Sequence, residues 1–135
     1  NRDPKECELL WGGFIATGET EEDLKIAKRN IAARISFYAS TRTYRPALDF
    51  HGWGDINEAL HKLSVEGKWE EMFALVTDDM VETLGFCGTG KEVANSLKND
   101  LGPICSAAMW NEVEHLGTDH SKDEHVSNLI QIAKG

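Results

Sequence analysis

Long hydrophobic runs are missing from this 135-residue chain. No stretch approaches the roughly 18–20 apolar residues that a membrane-spanning helix needs, so no membrane partner is expected. The opening residues, NRDPKECELL, lack the basic-then-apolar order of a secretory signal. Positive charge is scarce too: 14 Lys and Arg stand against 23 Asp and Glu, for a net charge of -9. Such a chain repels a phosphate backbone, and nucleic acid is not an expected partner. The cysteines are few, odd in number and far apart: Cys7, Cys87 and Cys105. That is no disulfide framework, and it fits reduced, buried thiols in a cytoplasmic protein. Internal repeats and low-complexity linkers are also absent.

What is present suits one soluble globular domain over residues 1–135, with 41% hydrophobic and 27% charged residues. Its organising stretch is residues 35–55, ISFYASTRTYRPALDFHGWGD. Aromatic anchors (Phe37, Tyr38, Tyr44, Phe50, Trp53) alternate there with polar turns, so the chain folds back on itself between flanking helices.

In chain order, residues 8–17 (ELLWGGFIAT) read as a buried strand, with Gly12 and Gly13 marking a bulge or a close backbone approach. Thr20 followed by Glu21, Glu22 and Asp23 supplies a hydroxyl cap and acids where the helix dipole favours them. Leu24, Ala27, Ile31, Ile35 and Tyr38 then share one face of an amphipathic helix over residues 21–39. Pro46 opens a short second helix that Gly52 ends. Asp55 and Glu58 have the spacing of a capping box for a third helix through Val65, stopped by Gly67. Trp69, Met72, Phe73 and Val76 line a fourth helix, Thr77 caps a fifth, and Thr89 with Glu92 forms a box that opens a sixth. Residues 103–110 (PICSAAMW) read as a second strand. A last helix presents Val126, Leu129, Ile130 and Ala133. Two buried strands far apart with helices between them indicate a predominantly helical α/β fold with a parallel sheet.

The run FYAST, YRP and HGWGD, followed by GKWEEM, DDMVETLGFCGTGKEVANSL and a terminal strand, is specific in its order. Over about residues 14–110 it resembles the C-terminal part of luciferase-like monooxygenases, especially their deazaflavin (F420)-dependent oxidoreductase branch. The resemblance implies that the two short strands and six or seven helices read above form the C-terminal portion of a (β/α)8 barrel. It implies FMN or F420 as cofactor and chemistry that moves a hydride or activates oxygen. A complete barrel takes about 250 residues, which 135 cannot close. The expected reading is therefore a C-terminal segment, inactive without the missing barrel half. The alternative is a stand-alone, mostly helical binding or assembly module derived from it. Open strand edges imply a homo-oligomer or pairing with the missing half.

Several constellations compete with plainer readings. Residues 85–92, GFCGTGKE, nearly match a phosphate loop, but Glu92 stands where a Ser or Thr would hold magnesium, and its carboxylate would repel phosphate. A turn plus capping box is the better account. His115, His120 and His125 recur every five residues, which puts no two on one helical face, so no metal site is expected. Tyr44, Arg45, His51 and Trp53 form the best substrate- or cofactor-side set: an Arg for an anion, a His for proton transfer, aromatics to stack on a ring. The plainer reading is the favoured one, because no spacing here demands chemistry: Tyr44 and Trp53 as packing anchors, and Arg45 as a partner of Asp49 or Asp55. The catalytic residues are not identifiable from spacing.

Overall fold

The computed structural model describes residue 3 and residues 6–109. Six α-helices form: α1 (Glu21–Ala39), α2 (Arg45–Phe50), α3 (Gly54–Val65), α4 (Trp69–Leu75), α5 (Asp78–Leu84) and α6 (Gly90–Ser96). A 3-10 turn (Arg42–Tyr44) precedes α2, and a π turn (Leu97–Leu101) follows α6. Four short strands are β1 (Leu10–Gly12), β2 (Phe14–Thr17), β3 (Gly85–Gly88) and β4 (Ala107–Met109). The last expected helix and the histidine triplet lie outside the described residues. None of the described helices is long and apolar enough to cross a membrane.

The chain divides into two compact units, Asn1–Ala27 with Leu84–Gly135, and Lys28–Thr83. The first holds the strands, in two parallel pairs. β1 pairs with β4, with Leu10 opposite Ala107 and Gly12 opposite Met109. β2 pairs with β3, with Ile15 opposite Phe86 and Ala16 opposite Cys87. Val93 and Ala94 of α6 are buried against Ile15, Phe86 and Leu97. The parallel pairing agrees with the sequence. The strand count does not: residues 85–88 carry no periodicity and look locally like a turn, yet they form β3. The expected strand over residues 8–17 breaks in two at Gly13, where a Cβ would fall 2.2 Å from the Trp11 indole. Of the expected strand over residues 103–110, the described part, 103–109, is strand only in β4. Cys87 and Cys105 are half-buried rather than buried, and Cys7 is exposed.

The second unit is helical. Ile31, Ile35, Leu60, Met72, Met80 and Val81 are fully buried and make its core. α3 packs on both α2 and α4. Helix α1 has the expected bounds, begun by a reciprocal box in which Asp23 N donates to Thr20 Oγ1 and Thr20 N to Asp23 Oδ2. Its buried stripe ends differently from expectation. Tyr38 is exposed, while Ser36, Ala39 and Ser40 are buried. Small residues there let another backbone approach, and the two hydroxyls bond within the helix, Ser36 to Ala33 O and Ser40 to Phe37 O, each at 2.7 Å. The expected capping box at Asp55 does not form. α3 starts two residues earlier, with Trp53 at its cap position and no side-chain cap, because Trp53 N already donates to Leu48 O at 2.8 Å and hands the chain straight into the helix.

Candidate functional site

The sequence-predicted residues lie between the end of α1 and the start of α3. A helix ends with carbonyls that lack intrahelical donors. Here α3 supplies donors. Asn57 Nδ2 donates to Ala39 O at 2.6 Å and to Thr41 O at 3.2 Å. His61 Nδ1 lies 3.2 Å from Ser40 O; a carbonyl only accepts, so this pairing places the imidazole proton on Nδ1. Asn57 and His61 stand four residues apart on one face of α3. They fix residues 39–41, from which the 3-10 turn and α2 depart.

From that turn Tyr44 sets its ring edge-on against Tyr38 at 5.7 Å, and Tyr38 against Phe37 at 5.9 Å. Arg45 reaches Glu58 (Nη1 to Oε1, 2.5 Å) and lies 3.7 Å from Asp49. The hydrogen bond to Glu58, then the charges of Glu58 and Asp49, raise the guanidinium above its ordinary pKa. At the far end of α2, Gly52 takes a φ of 77°, the left-handed conformation that a glycine stop supplies. The turn stacks His51 on Trp53 at 4.7 Å and 20°, with Phe50 edge-on to His51 at 5.1 Å. The structure thus joins Tyr44 to Tyr38, Arg45 to two carboxylates, and His51 to Trp53. An anion at Arg45 would have to compete with Glu58 and Asp49.

A second locus is the stretch that the sequence weighed as a phosphate loop against a turn with a capping box. In parallel α/β architectures, ligands sit beyond the carboxyl ends of the strands. The β2–β3 pair ends at Thr17 and Gly88, and Gly18 N extends the ladder to Gly88 O at 3.2 Å. Directly after β3, Thr89 N and Oγ1 donate to Glu92 Oε2 at 2.9 and 2.8 Å, and Glu92 N returns a bond to Thr89 Oγ1. This is the expected capping box. The protein's own carboxylate takes the donors that a phosphate loop would offer to phosphate. Backbone donation from Thr89, then its hydroxyl, lowers the Glu92 pKa. A lowered folded-state pKa means stability that is present above the ordinary carboxylate range and lost as pH falls through the folded value. Thr89→Ala should cost about 1 kcal/mol at neutral pH. Glu92→Gln should flatten the acid limb of a stability-versus-pH curve measured by urea unfolding; an unchanged limb would show that Glu92 does not contribute to it.

Asn57 and His61 were missed. Their signal was a polar pair four apart on a helix whose neighbouring Leu60 is core, but spacing alone does not name the carbonyls they meet. Among the described residues, no group of three or more His, Cys, Asp and Glu side chains is arranged to hold a metal ion.

Comparison with known proteins adds three findings. The sequence profile of luciferase-like monooxygenases matches residues 1–101. Uncharacterized proteins of Mycobacterium bovis and of two Mycobacterium tuberculosis strains are each 37% identical over 98 residues, which is 73% of this chain and 29% of the relative. No solved structure gives a significant match.

Proposed function

This chain belongs to the luciferase-like monooxygenase family, and we propose that it forms the C-terminal segment of a reduced-flavin- or F420-dependent oxidoreductase, inactive without the remainder of a (β/α)8 barrel. The observation that carries the reading is the parallel β2–β3 pair with α6 following β3, inside the residues that match the family. A strand, a long helix-bearing excursion, and a parallel partner strand form the unit from which such barrels are built. The chain spans 29% of the length of the curated relatives it matches, and an activity belonging to the whole protein would draw on residues beyond that share.

The described residues do not fit a phosphate-bearing FMN or F420 by themselves. The Thr89 donors hold Glu92, and Arg45 holds Glu58 and Asp49. In this reading the cofactor contacts come from outside these residues. Tyr44, Arg45, His51 and Trp53 remain the substrate- or cofactor-side candidates on the helical unit, with His51 able to carry a proton and Trp53 a ring face.

A chimera tests this. The whole chain replaces the 98 matched residues of the Mycobacterium tuberculosis relative, and FMN and F420 are titrated while fluorescence is followed. Saturable binding by the chimera is expected, with none by the chain alone. A chimera that melts cooperatively yet binds neither cofactor would sink the reading. The second reading, a non-enzymatic helical module, draws on Lys28–Thr83 closing its own core. A folded, cofactor-free oligomer would favour it.

A further inference from the structure

The three cysteines are an odd number, and the structure divides them unequally. Cys87 lies within β3, opposite Ala16 of β2. Cys7 and Cys105 both stand at the entrance to the β1–β4 pair. That ladder runs parallel from Leu10 opposite Ala107. One position earlier, Leu9 is tied to Ser106: Ser106 N donates to Leu9 O at 2.8 Å, and Leu9 N to Ser106 Oγ at 3.3 Å. Carried back one more step, the same register sets Glu8 opposite Cys105, with Cys7 on the diagonal. Neighbouring strands lie about 4.8 Å apart and successive residues rise about 3.3 Å, which puts the Cα atoms of such a diagonal pair about 6 Å apart. A disulfide accepts about 4.4–6.8 Å. A regular pleat would turn diagonal neighbours to opposite faces. Neither cysteine sits in one: the chain bends at Cys7 and again at Ser106, and Cys105 N closes a turn on Leu101 O at 2.7 Å. Cys7 is exposed and Cys105 half-buried. Glu8, Leu9 and Ser106 are exposed too, so a small adjustment there displaces no core side chain among the described residues.

We propose that Cys7 and Cys105 are a redox pair, which a small-molecule disulfide such as oxidised glutathione closes into a cross-link between the entrances of β1 and β4. The exposed Cys7 sulfur attacks the small disulfide, whose S–S bond breaks. One half leaves as a thiol with the proton that Cys7 gives up, and the other half stays on Cys7. Cys105 then attacks the Cys7 sulfur, and the second half leaves as a thiol with the Cys105 proton. Two protein thiols are oxidised to one disulfide, and one small disulfide is reduced to two thiols. An exposed thiol with a resolving cysteine beside it is the arrangement that reacts in this way. The loop so closed spans nearly all of the described chain, and long loops remove the most freedom from the unfolded ensemble. Cys87 takes no part. The pair stands whether or not the chain serves an oxidoreductase.

The test incubates the whole chain with oxidised glutathione, quenches it in acid, digests it and reads the peptides by mass spectrometry. A peptide linking Cys7 to Cys105 is expected, with Cys87 still a thiol. The melting temperature should rise by about 5 °C or more and return on reduction. Cys105→Ser should stop at a glutathione adduct on Cys7, and Cys87→Ser should cross-link like the parent. In urea the register is lost, and Cys87 should pair with Cys105 instead, because the shorter loop closes more readily. Three results overturn the pair: a native parent chain that stops at a stable adduct on Cys7, one that joins two copies through Cys7, or one whose linked peptide contains Cys87.

Discussion

Gly18→Ala should be the most damaging single methyl group that can be added to this protein. A Cβ at position 18 would lie 2.2 Å from Leu24 N and 2.6 Å from the carbonyl carbon of Asp23. Both are backbone atoms in the first turn of α1, so no side-chain rotation relieves the contact. Relief requires the turn to move away, which strains the Thr20–Asp23 box, or Gly18 to move, which breaks its bond to Gly88 O at the end of the β2–β3 ladder. Overpacking against a fixed backbone costs about 3 kcal/mol. In a chain of this size that is a fall of about 10 °C in melting temperature. Urea unfolding followed by circular dichroism would measure it, and a Gly18→Ala protein within about 0.5 kcal/mol of the parent would show that the approach of the two backbones is looser than 2.2 Å from that Cβ.

Asn57→Ala should come next. Asn57 is 2% exposed, and its amide serves two carbonyls at the end of α1. Truncation leaves those acceptors without a donor. An unsatisfied buried group costs about 1–3 kcal/mol; Ala39 O lies in the buried part of the clip and Thr41 O nearer solvent, so about 2 kcal/mol is expected in total. Asn57→Asp makes a sharper test. Its carboxylate would face carbonyl oxygens, which raises its folded-state pKa. A raised pKa means that the protonated form is favoured in the fold, so the variant should lose stability as pH rises from the acid range to neutrality. The parent should show no such trend from this position. An Asn57→Asp protein with a pH profile parallel to the parent's would refute the clip. His61→Ala should cost less, about 1 kcal/mol, because His61 makes one bond at 3.2 Å in a half-buried position.

Residues whose signals act over a few positions were legible from sequence. The acid-rich start and apolar stripe gave α1 its bounds. Gly52 and Gly67 marked ends because a positive φ is a local demand, and both adopt one. The Thr89–Glu92 box was legible because both partners lie within one turn. The luciferase-like character of the chain was legible in the order of its short motifs, and the family match bears that out. β3 was not legible: GFCG has neither alternation nor length, and becomes a strand only because β2 lies beside it to receive its bonds. The Asp55 box failed for a related reason, since the bond from Trp53 N to Leu48 O set the start of α3 before any side-chain cap could.

The site divides along the same line. That Tyr44 and Arg45 stand at one end of α2 and His51 and Trp53 at the other was fixed by their nearness in the chain. Which of them carry a free functional group was decided by tertiary contacts. Glu58, thirteen residues away, holds Arg45, whereas the stack of Trp53 on His51 is set within the Gly52 turn itself. Local sequence determines where helices start and stop, because caps and glycines act over one turn. Only the folded chain decides strand pairing and the donors for Ala39 and Ser40, because each depends on partners 18 to 97 residues apart, whose meeting no local pattern encodes.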